Sequence, residues 1–186
     1  MLHRALLALA LLVLSSPASA DEPRFELRAR GGLGIGGNMA ALLGGGDALY
    51  RVDPHLWAGV SWTEIPGAWD THGGDNCSSS GDCWYEGRWI LARAEGHLFP
   101  TSTLDPWAGV GLGMLQVSGS RDRSAFTGLS ADLGLDVRLG HFVVGPSVGV
   151  GGPLGDTGDA EGVAAGTSDP PLPWIVTYQL RAGASF

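Results

Sequence analysis

From residue 24 onward apolar and polar residues alternate with a period of two, and they do so in separated runs. Phe25, Leu27, Ala29, Leu33 and Ile35 share one parity, while Glu26, Arg28 and Arg30 take the other. Successive side chains of a β-strand point to opposite faces, so such a run predicts a two-faced strand. The pattern returns as Ile90, Ala92, Ala94 against Leu91, Arg93, Glu95, and as Ala131, Leu133, Leu135, Val137, Leu139 against Asp132, Gly134, Asp136, Arg138. It returns again as Phe142, Val144, Val148, Val150 against Val143, Gly145, Ser147, Gly149, and as Tyr178, Leu180, Ala182, Ala184, Phe186 against Gln179, Arg181, Gly183, Ser185. Weaker runs are Ala48-Tyr50-Val52, Leu56-Ala58-Val60-Trp62 and Ala108-Val110-Leu112-Met114. No apolar stripe of helical spacing persists beyond about a turn, and 31 glycines would weaken any helix. The expected elements are eight strands near 24–36, 46–52, 55–65, 83–97, 106–118, 125–138, 141–151 and 173–186. Short turns are expected after strands two, four and six, and longer polar or glycine-rich links after strands one, three and seven, with a short outer loop at 120–124.

The residues before this pattern read differently. His3 and Arg4 precede an unbroken apolar run from Ala5 to Leu14, and Ala18-Ser19-Ala20 is the small-x-small pattern that a signal peptidase cuts. The run is too short to span a bilayer as a helix, which takes roughly twenty residues. The expectation is a cleaved signal peptide over 1–20 and a single mature domain over 21–186. The formal charge is −8, or −9 without Arg4, and every basic residue is arginine or histidine. A surface of this sign offers no footprint for nucleic acid. Cys77 and Cys83, the two cysteines, lie in a Ser/Gly/Asp-rich stretch behind a secretory signal, which favours a disulfide in an oxidising compartment. A metal site with His72 and Asp75 is the weaker alternative, because C-x5-C is a poor zinc spacing.

Alternation alone does not say which face meets solvent. A soluble eight-stranded barrel of lipocalin type turns its apolar face inward, and a membrane barrel turns it outward. Three features favour the membrane: the terminal aromatic Phe186, six tryptophans (57, 62, 84, 89, 107 and 174) in positions plausible for interfacial girdles, and the lack of a helix to cap an apolar interior. The last strand, Tyr178-Gln179-Leu180-Arg181-Ala182-Gly183-Ala184-Ser185-Phe186, resembles the C-terminal signature strand of bacterial outer-membrane proteins. With the signal peptide and eight strands, the chain is similar to the small OmpA/OmpX-like barrels. The resemblance implies an all-β, eight-stranded antiparallel up-and-down transmembrane barrel in the bacterial outer membrane. It also implies that Tyr178 and Phe186 are read by the barrel-assembly machinery.

With lipid outside, Glu26, Arg28, Arg30, Arg93, Glu95, Asp132, Asp136, Arg138 and Arg181 must share a lumen only just wide enough for side chains. Five arginines and four carboxylates can pair there, and packing explains them better than an ion path does. The barrel must also close, first strand to last, because unpaired backbone groups in hydrocarbon cost several kcal/mol each. Gly32-Leu33-Gly34-Ile35-Gly36-Gly37 superficially resembles a nucleotide loop, but no helix follows it. His72, Asp75 and Ser78 to Ser80 in one loop, and His141 with Ser147 on one strand, lack a spacing that would fix catalytic geometry. His55 and His97 read as hydrogen-bonding residues near the turns. Loop 66–82, with Trp69 and His72, is a candidate recognition surface. In loop 152–172 the carboxylates Asp156, Asp159, Glu161 and Asp169 could meet cations bound to lipopolysaccharide, and a solvated acidic loop is the plainer reading. The expectation is a monomeric, non-enzymatic surface or structural protein without cofactor or metal, in contact with outer-membrane lipid and lipopolysaccharide. Its rivals are a lipid A-modifying barrel enzyme and a soluble barrel that binds an apolar ligand.

Overall fold

A computed structural model describes residues 24–36, 39–70, 85–118, 123–154 and 174–186. The proposed signal peptide, Cys77, Cys83, His72 and the acidic stretch 156–169 lie outside the described residues. Among the described residues every regular element is a strand: β1 (Phe25–Gly36), β2 (Met39–Asp53), β3 (Leu56–Asp70), β4 (Tyr85–His97), β5 (Leu104–Ser118), β6 (Arg123–Leu139), β7 (Phe142–Pro153) and β8 (Ile175–Ser185). Each strand pairs antiparallel with its neighbours in sequence, and β1 closes on β8 through Glu26↔Ser185 to Ile35↔Val176.

The closure is staggered. Pairings followed from Gly31 through β2, β3, β4 and β5 arrive on β6 at Ala125, whereas the route through β8 to Pro146 on β7 meets β6 opposite Leu135, ten residues away. Ten residues of stagger over eight strands tilt the strands by roughly 40°, inside the range of closed barrels.

The β2–β3, β4–β5 and β6–β7 connections lie at the rim that also carries both ends of the sheet, called the turn rim below; the opposite end is the loop rim. Asp53 shapes the β2–β3 turn by accepting the backbone N–H groups of His55 (2.7 Å) and Leu56 (2.9 Å) at Oδ1. Gly140 has φ +64° in the two-residue turn between β6 and β7, a backbone form that glycine adopts without strain.

The wall is apolar outside and polar inside. Leu33, Leu112, Leu133, Leu180 and Phe142 are among many large apolar side chains left exposed on the outer face, while Glu26, Arg28, Glu95, Asp136 and Arg181 are buried on the inner one. A lipocalin has the reverse polarity, so the soluble alternative fails on face orientation, and the molecule is a transmembrane β-barrel.

Two expectations need correction. β2 starts at Met39 and not at 46, so only residues 37–38 separate it from β1 and the expected long link after strand one is absent. The glycine-rich link expected before 46 is wall: a Cβ on Gly45 would lie 2.1 Å from the Trp62 carbonyl, and one on Gly46, at the expected start of strand two, would lie 2.5 Å from the Trp62 ring. Trp57, Trp89 and Trp107 do not form a girdle; they are buried on the lumenal face, whereas Trp62 and Trp174 are exposed. Parity decides this, since 57, 89 and 107 share the inward register of Ser61, Arg93 and Asp105.

Candidate functional site

The lumen brings together charges from β1, β2, β4, β5, β6 and β8. Alternation sends every second side chain inward, and the stagger carries residues remote in sequence to the same height. Glu95 on β4 is the hub. It accepts from Arg28, from Arg93 Nε at 2.7 Å and from Arg181 Nη1 at 3.0 Å. Arg28 also donates to Glu26 on its own strand. Arg93 reaches on to Asp132 (2.7 Å), and Arg181 grips Asp136 with two parallel bonds, Nε to Oδ1 at 2.8 Å and Nη2 to Oδ2 at 2.6 Å. A two-bond fork of this kind fixes direction as well as charge. Arg138, half-buried nearer the turn rim, donates to Asp105 (3.0 Å) and at 3.5 Å to Glu26. Arg30 stands apart from the hub: its Nη2 donates to Ser61 Oγ (3.0 Å) and Thr63 Oγ1 (2.9 Å) and lies 3.5 Å from Asp47.

Three members of this assembly are not evident from the sequence. Asp47 sits at the start of the weak Ala48-Tyr50-Val52 run, beside the glycines that suggest a loop, and Asp105 precedes the expected start of strand five; both share the inward parity of their strands. His97 reads from the sequence only as a hydrogen-bonding residue near a turn. Its Nδ1 is 2.7 Å from Asp105 Oδ2 and its Nε2 is 3.4 Å from Glu95 Oε2, so both ring nitrogens face carboxylate oxygens.

Aromatic rings fill the spaces between the charges. Trp107 lies under the guanidinium of Arg181, 3.4 Å from its ring centroid, with Arg93 at 5.6 Å. A Cβ on its cross-strand partner Gly134 would stand 2.4 Å from the ring. Trp57 sits edge-on to His97, with centroids 6.1 Å apart, and has Arg51 at 6.0 Å.

The chemistry of the lumen changes toward the loop rim. Trp89, Leu91, Leu115 and Val117 form a buried apolar cluster, with Ile65, Phe126 and Ile175 packed against it. Ala41 and Leu43 make a second cluster that shares Ile65.

His97, Asp105 and Asp136 lie close enough that one ligand atom from each fits within 4.8 Å. Arg138 on Asp105 and the Arg181 fork on Asp136 already supply positive charge there, so a metal would have to displace guanidinium groups. For nucleophilic catalysis His97 would need a hydroxyl or thiol, and its bonded partner is Asp105. His141 Nδ1 lies 3.1 Å from the Ser185 carbonyl at the turn rim, and Ser147 stands further up β7. Tyr178 and Phe186 are exposed on the outer face, and the Phe186 carbonyl accepts the N–H groups of Arg24 (2.8 Å) and Phe25 (3.1 Å).

No family model matches the chain, and no curated protein sequence does. Solved structures do match. The N-terminal β-barrel domain of OprF from Pseudomonas aeruginosa aligns over 89% of this chain and all (100%) of that domain, at 16% identity and a TM-score of 0.58. Neisserial surface protein A aligns over 87% of this chain and 96% of its own, at 12% identity and a TM-score of 0.60. A major outer membrane protein from Thermus thermophilus aligns over 89% of this chain and 100% of its own, at 14% identity and a TM-score of 0.55. At these identities the likeness is one of fold.

Proposed function

We propose that this chain is a non-enzymatic protein of the bacterial outer membrane, with a structural or surface-interaction role carried by its loop rim. The observation that carries the reading is the polarity of the wall: an apolar exterior fit for hydrocarbon around a charged and aromatic lumen. The turn rim then faces the periplasm and the loop rim the exterior. The alignments to outer-membrane barrels support the compartment at the level of fold. The leader over 1–20 and the terminal strand with Tyr178 and Phe186 agree with export followed by delivery to the barrel-assembly machinery. Cys77 and Cys83 would pair in that compartment. Outer-leaflet lipopolysaccharide is the expected contact of the loop rim.

The decisive experiment is membrane fractionation followed by electrophoresis with and without boiling. An outer-membrane fraction holding a species whose migration changes on boiling supports the reading; a soluble species with unchanged migration defeats it. N-terminal sequencing should begin at Asp21. Mass spectrometry of lipid A from cells with and without the protein tests the enzymatic rival, which predicts an altered acyl pattern.

A further inference from the structure

The lumenal indoles of Trp57, Trp89 and Trp107 have different seats. Trp107 is held by two guanidinium groups, and Trp57 lies between Arg51 and His97. No cation is stacked on Trp89 among the described residues, and Phe126 packs against the cluster to which this indole belongs. What holds it is the apolar cluster of Leu91, Leu115 and Val117, and the bare backbone of Gly151 on β7. A Cβ on Gly151 would lie 2.3 Å from Cζ3 and 2.4 Å from Cη2 of the Trp89 ring. The ring therefore reaches from the β4 wall to the β7 wall and stands across the lumen at that level.

Three observations make this closure a movable one. Trp89 Nε1 is buried without an acceptor, as are the Nε1 atoms of Trp57 and Trp107, but those two rings carry a guanidinium over them, whereas nothing of that kind opposes relief of the Trp89 N–H by a swing into water. Of these three indoles Trp89 is also the nearest to the loop rim: its cross-strand partners are Thr63 and Leu115, whereas Trp57 pairs with Glu95, and Trp107 with His97 and Gly134. Finally, a cavity of about 20 Å³ adjoins the ring, bounded by Leu43, Ile65 and Ile175 toward the loop rim and by Arg30 and Ser130 toward mid-lumen. That is room for about one water molecule, so the ring is not wedged on every side. Behind it the network centred on Glu95 fills the lumen toward the turn rim with paired charges.

We propose that Trp89 is a stopper. Seated on Gly151 it shuts the lumen toward the loop rim; unseated, it exposes the level of Ser130 to small solutes from that side, while the ion-pair network keeps the other end closed. The lumen is thus a blind vestibule and not a pore.

The test uses the full barrel in whole cells with Ser130→Cys as reporter. A small cationic methanethiosulfonate reagent is added outside, and labelling at residue 130 is followed by peptide mass, so Cys77 and Cys83 do not confuse the reading. Labelling is expected to be slow with Trp89 present and at least tenfold faster in Trp89→Ala. Gly151→Ala, which evicts the ring without removing it, should accelerate labelling in the same direction and serves if Trp89→Ala does not fold. Retained heat-modifiable migration marks the folded variants. Equal labelling rates with and without these substitutions overturn the stopper. A steady ionic current through Trp89→Ala in a planar bilayer overturns the blind end.

Discussion

The two ends of the lumen fill the same cylinder by opposite means. Toward the turn rim, Glu26, Arg28, Glu95, Asp136 and Arg181 are held by directional bonds, each carboxylate answering at least one guanidinium. Toward the loop rim, Trp89, Leu91, Leu115 and Val117 are held by shape alone. The first region depends on which atoms are present, and the second on how much volume they occupy. A buried ion pair gains little over a well-packed apolar pair, yet loses heavily when one partner goes. Apolar packing instead tolerates exchange at constant volume and fails gradually as volume is lost.

The sharpest break in this comparison is Glu95→Gln, which keeps the volume and removes the charge shared by three arginines. It should cost about 3–5 kcal/mol in the urea unfolding of the folded barrel, measured by tryptophan fluorescence in lipid vesicles. A loss below about 1 kcal/mol would mean that the charged half is also held by shape.

Next in size is Gly134→Val, which drives a side chain into the Trp107 ring beneath Arg181. It should cost about 1–3 kcal/mol or more in the same assay. On the apolar side, Leu115→Ala should cost about 2 kcal/mol, the low end of such truncations. Leu115→Met should stay below about 1.5 kcal/mol. If Leu115→Met hurts as much as Glu95→Gln, the division into bonding and packing halves is wrong. The smallest effect belongs to the exposed Arg88–Glu64 pair, 2.7 Å apart on the outer face near the loop rim. Arg88→Ala should change stability by less than about 1 kcal/mol, and salt should shrink even that. Added salt should leave the Glu95 effect nearly intact, since buried pairs are screened far less.

Strand number and the sorting of residues onto two faces are legible in the sequence, because alternation writes both; which face meets lipid is not written by parity. Phe25 and Leu27 must lie opposite Glu26 and Arg28 whatever the partners are. Who bonds to whom is not legible. Arg28 and Glu95 are 67 positions apart, and their meeting depends on the stagger of closure, which no local pattern encodes. Glycine misleads in one direction: the Gly44 to Gly46 run has poor strand propensity, but the approach of Trp62 demands small residues there. Tryptophan misleads in the other, since interfacial preference is an average, and parity overrides it at 57, 89 and 107. Asp47 and Asp105 escape notice because each lies at the expected margin of a weakly alternating strand, and both strands extend further than that alternation.

The seam between β1 and β8 has a consequence for biogenesis. The first strand synthesised finds its second neighbour only in the last, through ten register pairs from Glu26 to Ile35. A ribosome-bound fragment therefore cannot be threaded into lipid one hairpin at a time, as helical pairs can, without leaving raw backbone in oil. Closure of the wall must wait until both seam strands are present and then proceed as a single cooperative event.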